Sequence, residues 1–196
     1  MSERPSSPLA PLLPIERSTT VPWPQREAFE RFTAYFNSWW PVSTHSIGGK
    51  RVKRVVFECH GGGRIYEEFK SGERYQWGRV TVWDPPRRVA FSWHPSKDES
   101  MAQDVEVRFD SVPEGSRVVL TSSGWEKLGP RAARQRKGYS IGWGSILEVF
   151  AGRRGAVVLI FAAISHAITF VLWATGRLER EIANAGGRIP PGPTAT

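Results

Sequence analysis

Apolar positions recur along this chain in two periods, and the switches between them divide it into elements. Residues 14–21 (PIERSTTV) carry the isoleucine and threonines of a strand. From Trp23 and Pro24 the spacing lengthens. Phe29, Phe32, Phe36 and Trp40 lie three, four and four residues apart. That is one face of a helix which proline can start and Pro41 stops. After VSTHSIGG the period becomes two. Strands are predicted at 52–58, 64–69, 75–83, 87–94, 105–110 and 117–122, separated by turns rich in Gly, Pro and Ser. Gly78 interrupts the alternation of Tyr75, Trp77, Val80 and Val82 and predicts a bulge. The helical period returns over 131–151 (RAARQRKGYSIGWGSILEVFA). There Tyr139, Trp143, Ile146, Leu147 and Phe150 fall on one face. Gly138, Gly142 and Gly144 weaken this helix intrinsically, so packing must hold it.

The order β-α, six strands, then α predicts an α+β fold in which a curved antiparallel sheet wraps around a long C-terminal helix. We expect a ligand cavity between the two. The division that follows is a disordered Pro/Ser leader at 1–12, one domain at 13–151, an apolar helix at 156–176 and a polar tail at 177–196. The leader has no apolar stretch of the signal-peptide kind.

Residues 156–176 (AVVLIFAAISHAITFVLWATG) contain no Asp, Glu, Lys or Arg. As a helix they would reach ~31 Å, close to the ~30 Å of a bilayer's hydrocarbon core. Trp173 suits the far interface, and His166 would need a partner helix. The stretch is expected to span a membrane. Its near side carries Arg131, Arg134, Arg136, Lys137, Arg153 and Arg154, which puts the domain on the cytoplasmic side of the cell membrane.

Charge and composition add less. The net charge is +8, but the basic residues are scattered and no nucleic-acid motif accompanies them, so no nucleic-acid partner is expected. Cys59 is the single cysteine and cannot form an intramolecular disulfide. His45, His60, His94 and His166 show no metal-ligand spacing. No nucleophile elbow, phosphate loop or dinucleotide fingerprint is present. No metal, cofactor or catalytic residue is assigned. Glu58 and Glu67 sit on neighbouring predicted strands. Parity with Ile65 and Phe69 turns Glu67 inward, where a carboxyl would be pushed up. Nine tryptophans are many for 196 residues. We take Trp40, Tyr66, Trp77, Trp93, Trp125, Tyr139 and Trp143, with His45 and Glu67 as polar groups, as the candidate ligand-binding set.

A series of blocks carries a resemblance. WWP at 39–41, THSIGG at 44–49, GGRIYE at 62–67, YQWGRVTVWDPP at 75–86, FSW at 91–93, GWE at 124–126 and GYSIGW at 138–143 stand in order. Over residues 13 to 151 the chain resembles the SRPBCC (START or Bet-v-like) superfamily with its helix-grip fold. Within it the chain resembles the branch named for activators of the 90-kDa heat-shock protein ATPase. The resemblance implies an apolar tunnel that takes a hydrophobic small molecule or lipid. It also implies two alternatives, a cyclase or hydrolase type of enzyme and a chaperone partner. Ser122 stands where many relatives carry His.

Overall fold

A computed structural model describes residues 12–95 and 98–153. Strand β1 (Ile15–Val21) leads into helix α1 (Gln25–Phe32) and two short helices, α2 (Phe36–Trp39) and α3 (Val42–His45). Six strands follow: β2 (Val52–Phe57), β3 (Arg64–Phe69), β4 (Arg74–Asp84), β5 (Arg88–Trp93), β6 (Gln103–Val112) and β7 (Gly115–Ser123). Helix α4 (Ala132–Phe150) closes the fold. The sheet order is β1-β7-β6-β5-β4-β3-β2, antiparallel throughout, and the sheet curls as a half-barrel. The predicted strands and final helix are all present.

The first helix differs from expectation: it breaks between Phe32 and Phe36. The Thr33 hydroxyl donates to the Phe29 carbonyl at 2.8 Å, and the Tyr35 amide reaches five residues back to Glu30 O at 3.1 Å. Such local bonding by threonine competes with the regular helical ladder. Phe29, Phe32, Phe36 and Trp40 are nevertheless all buried. The bulge forms where Gly78 predicted it. Ile65 pairs with Gly78 but Tyr66 pairs with Gln76, leaving Trp77 as the extra residue. A β-carbon on Gly78 would lie 1.8 Å from the Ser92 carbonyl oxygen, so only glycine fits.

The core is a chain of rings. Phe32 meets Phe109 of β6 at 5.7 Å and Phe150 of α4 at 5.3 Å between centroids. Farther along, Trp40, Trp77, Trp93 and Trp143 follow one another at 5.3, 5.5 and 5.3 Å. The polar side of α4 is tied to β1 by arginines. Arg17 Nε donates to Ser140 O at 3.1 Å, Arg136 Nη2 to Pro14 O at 3.1 Å, and Arg153 Nη1 to Thr20 O at 3.2 Å. At the opposite edge, Asn37 Oδ1 accepts from the Val55 amide of β2 at 2.9 Å.

The stretch 156–176 and the tail 177–196 lie outside the described residues, as does the leader apart from Leu12, which packs on the core. Among the described residues no helix is long and apolar enough to cross a membrane.

Because Phe32 joins α1, β6 and α4, Phe32→Ala should lower unfolding stability by about 3–5 kcal/mol in chemical denaturation. Tyr35→Ala, at a 60% exposed position, should change it by no more than about 0.5 kcal/mol.

Candidate functional site

Helix α4 buries Trp143, Ile146, Leu147 and Phe150 against the sheet. Toward its N-terminal half the fit loosens, and a cavity of about 420 Å³ lies there. Helix α4 contributes Gln135, Gly138, Tyr139, Gly142, Trp143 and Ile146 to its lining. The end of β5 contributes Trp93 and Pro95, and the α2–α3 segment Trp40 and His45. None of these ten side chains is an acid, a lysine or an arginine.

Five of the nine sequence-predicted residues therefore converge: Trp40, His45, Trp93, Tyr139 and Trp143. Two more form a layer behind them. Trp77 is wedged between Trp40 and Trp93. Trp125 is fully buried against Tyr139 at 5.2 Å, with its indole N–H donating to Ser122 O at 2.9 Å. Tyr66 does not belong to the set. It lies on the opposite face of β3, covered by the guanidinium groups of Arg64 at 5.4 Å and Arg74 at 5.1 Å. Nor does Glu67 line the cavity. It is inward and 0% exposed, as its parity required, but it serves the backbone: Ile47 N donates to Oε2 at 3.1 Å and Gly48 N to Oε1 at 3.0 Å. Glu58 makes no pair with it and is bonded to Arg64 at 2.8 Å.

Gly138 and Gly142 went unread as site residues. In the sequence they mark only a weakness of the helix. Both keep φ outside the left-handed region, and a β-carbon on either would meet nothing within 4 Å. Neither conformation nor packing requires glycine there, and each lowers helix stability by about 1 kcal/mol relative to alanine. What they supply is room: four residues apart, they open one side of α4 between Tyr139 and Trp143. Their i, i+4 spacing beside the aromatic stripe was the available signal.

Burial sets the electrostatics. His45 is pushed down to about 4 by desolvation and is neutral at pH 7. Its Nδ1 lies 2.8 Å from Thr44 Oγ1, whose hydroxyl donates to Pro41 O at 3.2 Å. Using both contacts as hydrogen bonds puts the ring proton on Nδ1 and leaves Nε2 an acceptor. Trp40 Nε1 donates to His45 O at 3.1 Å and so fixes the ring beside it. Tyr139 is pushed up to about 12 by burial, against the opposing effect of a hydrogen bond with Trp93. Glu67 is pushed up to about 7 by burial, opposed by the Gly48 and Ile47 amides and the charge of Arg51.

The family described as "Activator of Hsp90 ATPase homolog 1-like protein" matches residues 23–153. The chain belongs to this family. Among solved structures, it is 29% identical to an anthrahydroquino-γ-pyrone synthase, Txn09, complexed with SUM. That match covers 73% of this chain and 97% of the synthase, with a TM-score of 0.51. The protein BH1534 of Bacillus halodurans is 15% identical over 75% of this chain and 100% of its own, with a TM-score of 0.53. The Aha1 dimer of Colwellia psychrerythraea is 16% identical over 74% of this chain and 100% of its own, with a TM-score of 0.50. The last two likenesses show the fold. No curated protein matches the chain.

The position of Glu67 sets a pH dependence for this member of the activator-homologue family. Its carboxyl titrates at about 7 in the fold and at its ordinary value of 4.5 when unfolded, so the native state binds more protons between those values. Glu67 therefore adds stability at low pH, and that contribution is lost as pH rises through about 7. Glu67→Gln should remove it. The stability difference between wild type and variant should shift by up to about 3 kcal/mol across this range, read by denaturant titrations at successive pH values.

Proposed function

We propose that the protein binds an uncharged, flat, ring-bearing small molecule in the cavity between α4, β5 and the α2–α3 segment. One observation carries the reading: a hollow of about 420 Å³ has aromatic walls from three elements and no charged side chain in its lining. Small-molecule sites of ~300–1,000 Å³ have this make-up, apolar walls with a few placed polar groups. Tryptophan and tyrosine faces favour aromatic guests through offset and edge contacts. His45 Nε2 offers an acceptor for a guest's hydroxyl or N–H. A charge held inside would find no partner in this lining, which favours a neutral guest. The 29%-identical synthase is named for an anthrahydroquino-γ-pyrone, a fused-ring compound, which supports the same class.

Binding is favoured over acid–base catalysis by the same burial. A proton-transfer group works best with a pKa near the operating pH. In the cavity lining, His45 at about 4 is too weak a base and Tyr139 at about 12 too weak an acid. Glu67 at about 7 is well matched, but both its oxygens are engaged by Ile47 and Gly48. The family's name invites a chaperone ATPase as partner, and co-precipitation with that ATPase is the check on it.

The probe N-phenyl-1-naphthylamine is neutral, aromatic and carries one N–H. It should bind one-to-one with enhanced fluorescence and quench tryptophan emission. Gly142→Ala should bind it while melting several degrees higher, because the helix gains about 1 kcal/mol. Gly142→Leu should stay folded and lose at least tenfold in affinity. Equal affinity in Gly142→Leu would place the guest elsewhere.

The proposal keeps residues 156–176 as a membrane anchor, on their length and lack of charge. The full chain should pellet with membranes and a chain ending at Gly155 should not. Equal partition of the two into the supernatant would remove the anchor.

A further inference from the structure

We propose that Glu67 is the positioning residue for the cavity wall formed by residues 40–48, and that its charge state sets how tightly the cavity holds a guest. The inference rests on the binding reading above.

The wall has little regular structure of its own. Helix α3 is one turn long, and the segment that follows it, Ser46 to Gly48, belongs to no strand. Glu67 of β3 ties that segment to the sheet by two bonds. One carboxylate oxygen takes the Ile47 amide and the other takes the Gly48 amide. Gly48 is pressed onto the sheet so closely that a β-carbon would lie 2.3 Å from the Phe69 ring. The connection to the cavity is short. His45 directly precedes this segment and lines the cavity, and its carbonyl accepts the Trp40 indole N–H. Glu67 thus acts on two wall residues through Ile47 and Gly48 without touching a guest.

A carboxylate has two acceptor oxygens and serves two amides. A protonated carboxyl turns one oxygen into a donor and a much weaker acceptor, and the amide facing it loses most of its bond. The segment must then move to re-pair that N–H, and His45 and Trp40 move with it. Val55 of β2 and Tyr75 of β4 are its cross-strand partners, Arg51 acts on it by charge, and His45 belongs to the adjacent helix. Lys53, Arg54 and Arg74 pair instead with Glu68, whose side chain points to the other face of the strand. Burial holds the Glu67 carboxyl at about 7, within the range where small pH changes alter its charge. His45 and Tyr139, at about 4 and about 12, keep one protonation state across that range.

The test is the affinity of the full chain for N-phenyl-1-naphthylamine between about pH 5.5 and 8.5. Wild-type affinity should fall about fivefold or more on acidification, the loss of one hydrogen bond's worth of order. Glu67→Gln should be flat and stay near the wild type's acid value, because an amide offers one acceptor oxygen. A flat wild-type profile, or an unchanged slope in the variant, would overturn the coupling. The amide proton shifts of Ile47 and Gly48 in wild-type protein give a second readout that needs neither guest nor variant. They should titrate together with a midpoint near 7, and shifts indifferent to pH would overturn the positioning role. Titrating amides with no probe bound at any pH would mean that the binding reading had failed and the coupling with it, while Glu67's hold on the wall stood.

Discussion

The fold turns on one mismatch: the side chains of α4 do not fill the whole hollow of the sheet. The C-terminal half of the helix resolves the mismatch by packing, with Phe150 set among Trp23, Phe32 and Trp39. The N-terminal half leaves it open at Gly138 and Gly142. A single helix is therefore core at one end and binding surface at the other. The two roles meet in the middle, where Trp143 and Ile146 are buried against the sheet and also line the hollow, so a change to the hollow's tryptophan wall is also a change to the core.

The architecture was legible because alternation along the strands, cleanest in β5 and β6, leaves few ways to bury their apolar faces. Val89, Phe91 and Trp93 are an example, all buried on one side of β5. The break at Thr33 was not legible. It comes from a hydroxyl competing for a carbonyl, and the aromatic spacing continues through it undisturbed. Tyr66 was misplaced although the parity that turned Glu67 inward turns Tyr66 outward. Its ring is shielded by arginines, and an aromatic residue alone does not announce which face it covers. The room beside Gly138 and Gly142 was not legible, because a pattern of side chains records what fills space and is silent about space that is kept.

Burial acts on three titratable groups near the cavity, and in each case it favours the uncharged form. It pushes His45 down to about 4, Glu67 up to about 7 and Tyr139 up to about 12. A region that disfavours charge of either sign in its own side chains disfavours it equally in a guest. The polar groups left at the cavity, an imidazole acceptor, a phenol and the Gln135 amide, can orient a neutral molecule but cannot balance an ion.

The sheet is open, yet neither edge is left bare. Arg136 of α4 reaches the Pro14 carbonyl just before β1, Arg153 just after α4 reaches Thr20 O of β1, and Asn37 takes an amide of β2, whose register also shifts between Val52 and Arg54. Unpaired strand edges are templates on which other chains can add. Side chains bonded at each edge, and the charges of Lys53 and Arg54 on β2, oppose the addition of a further strand at those points.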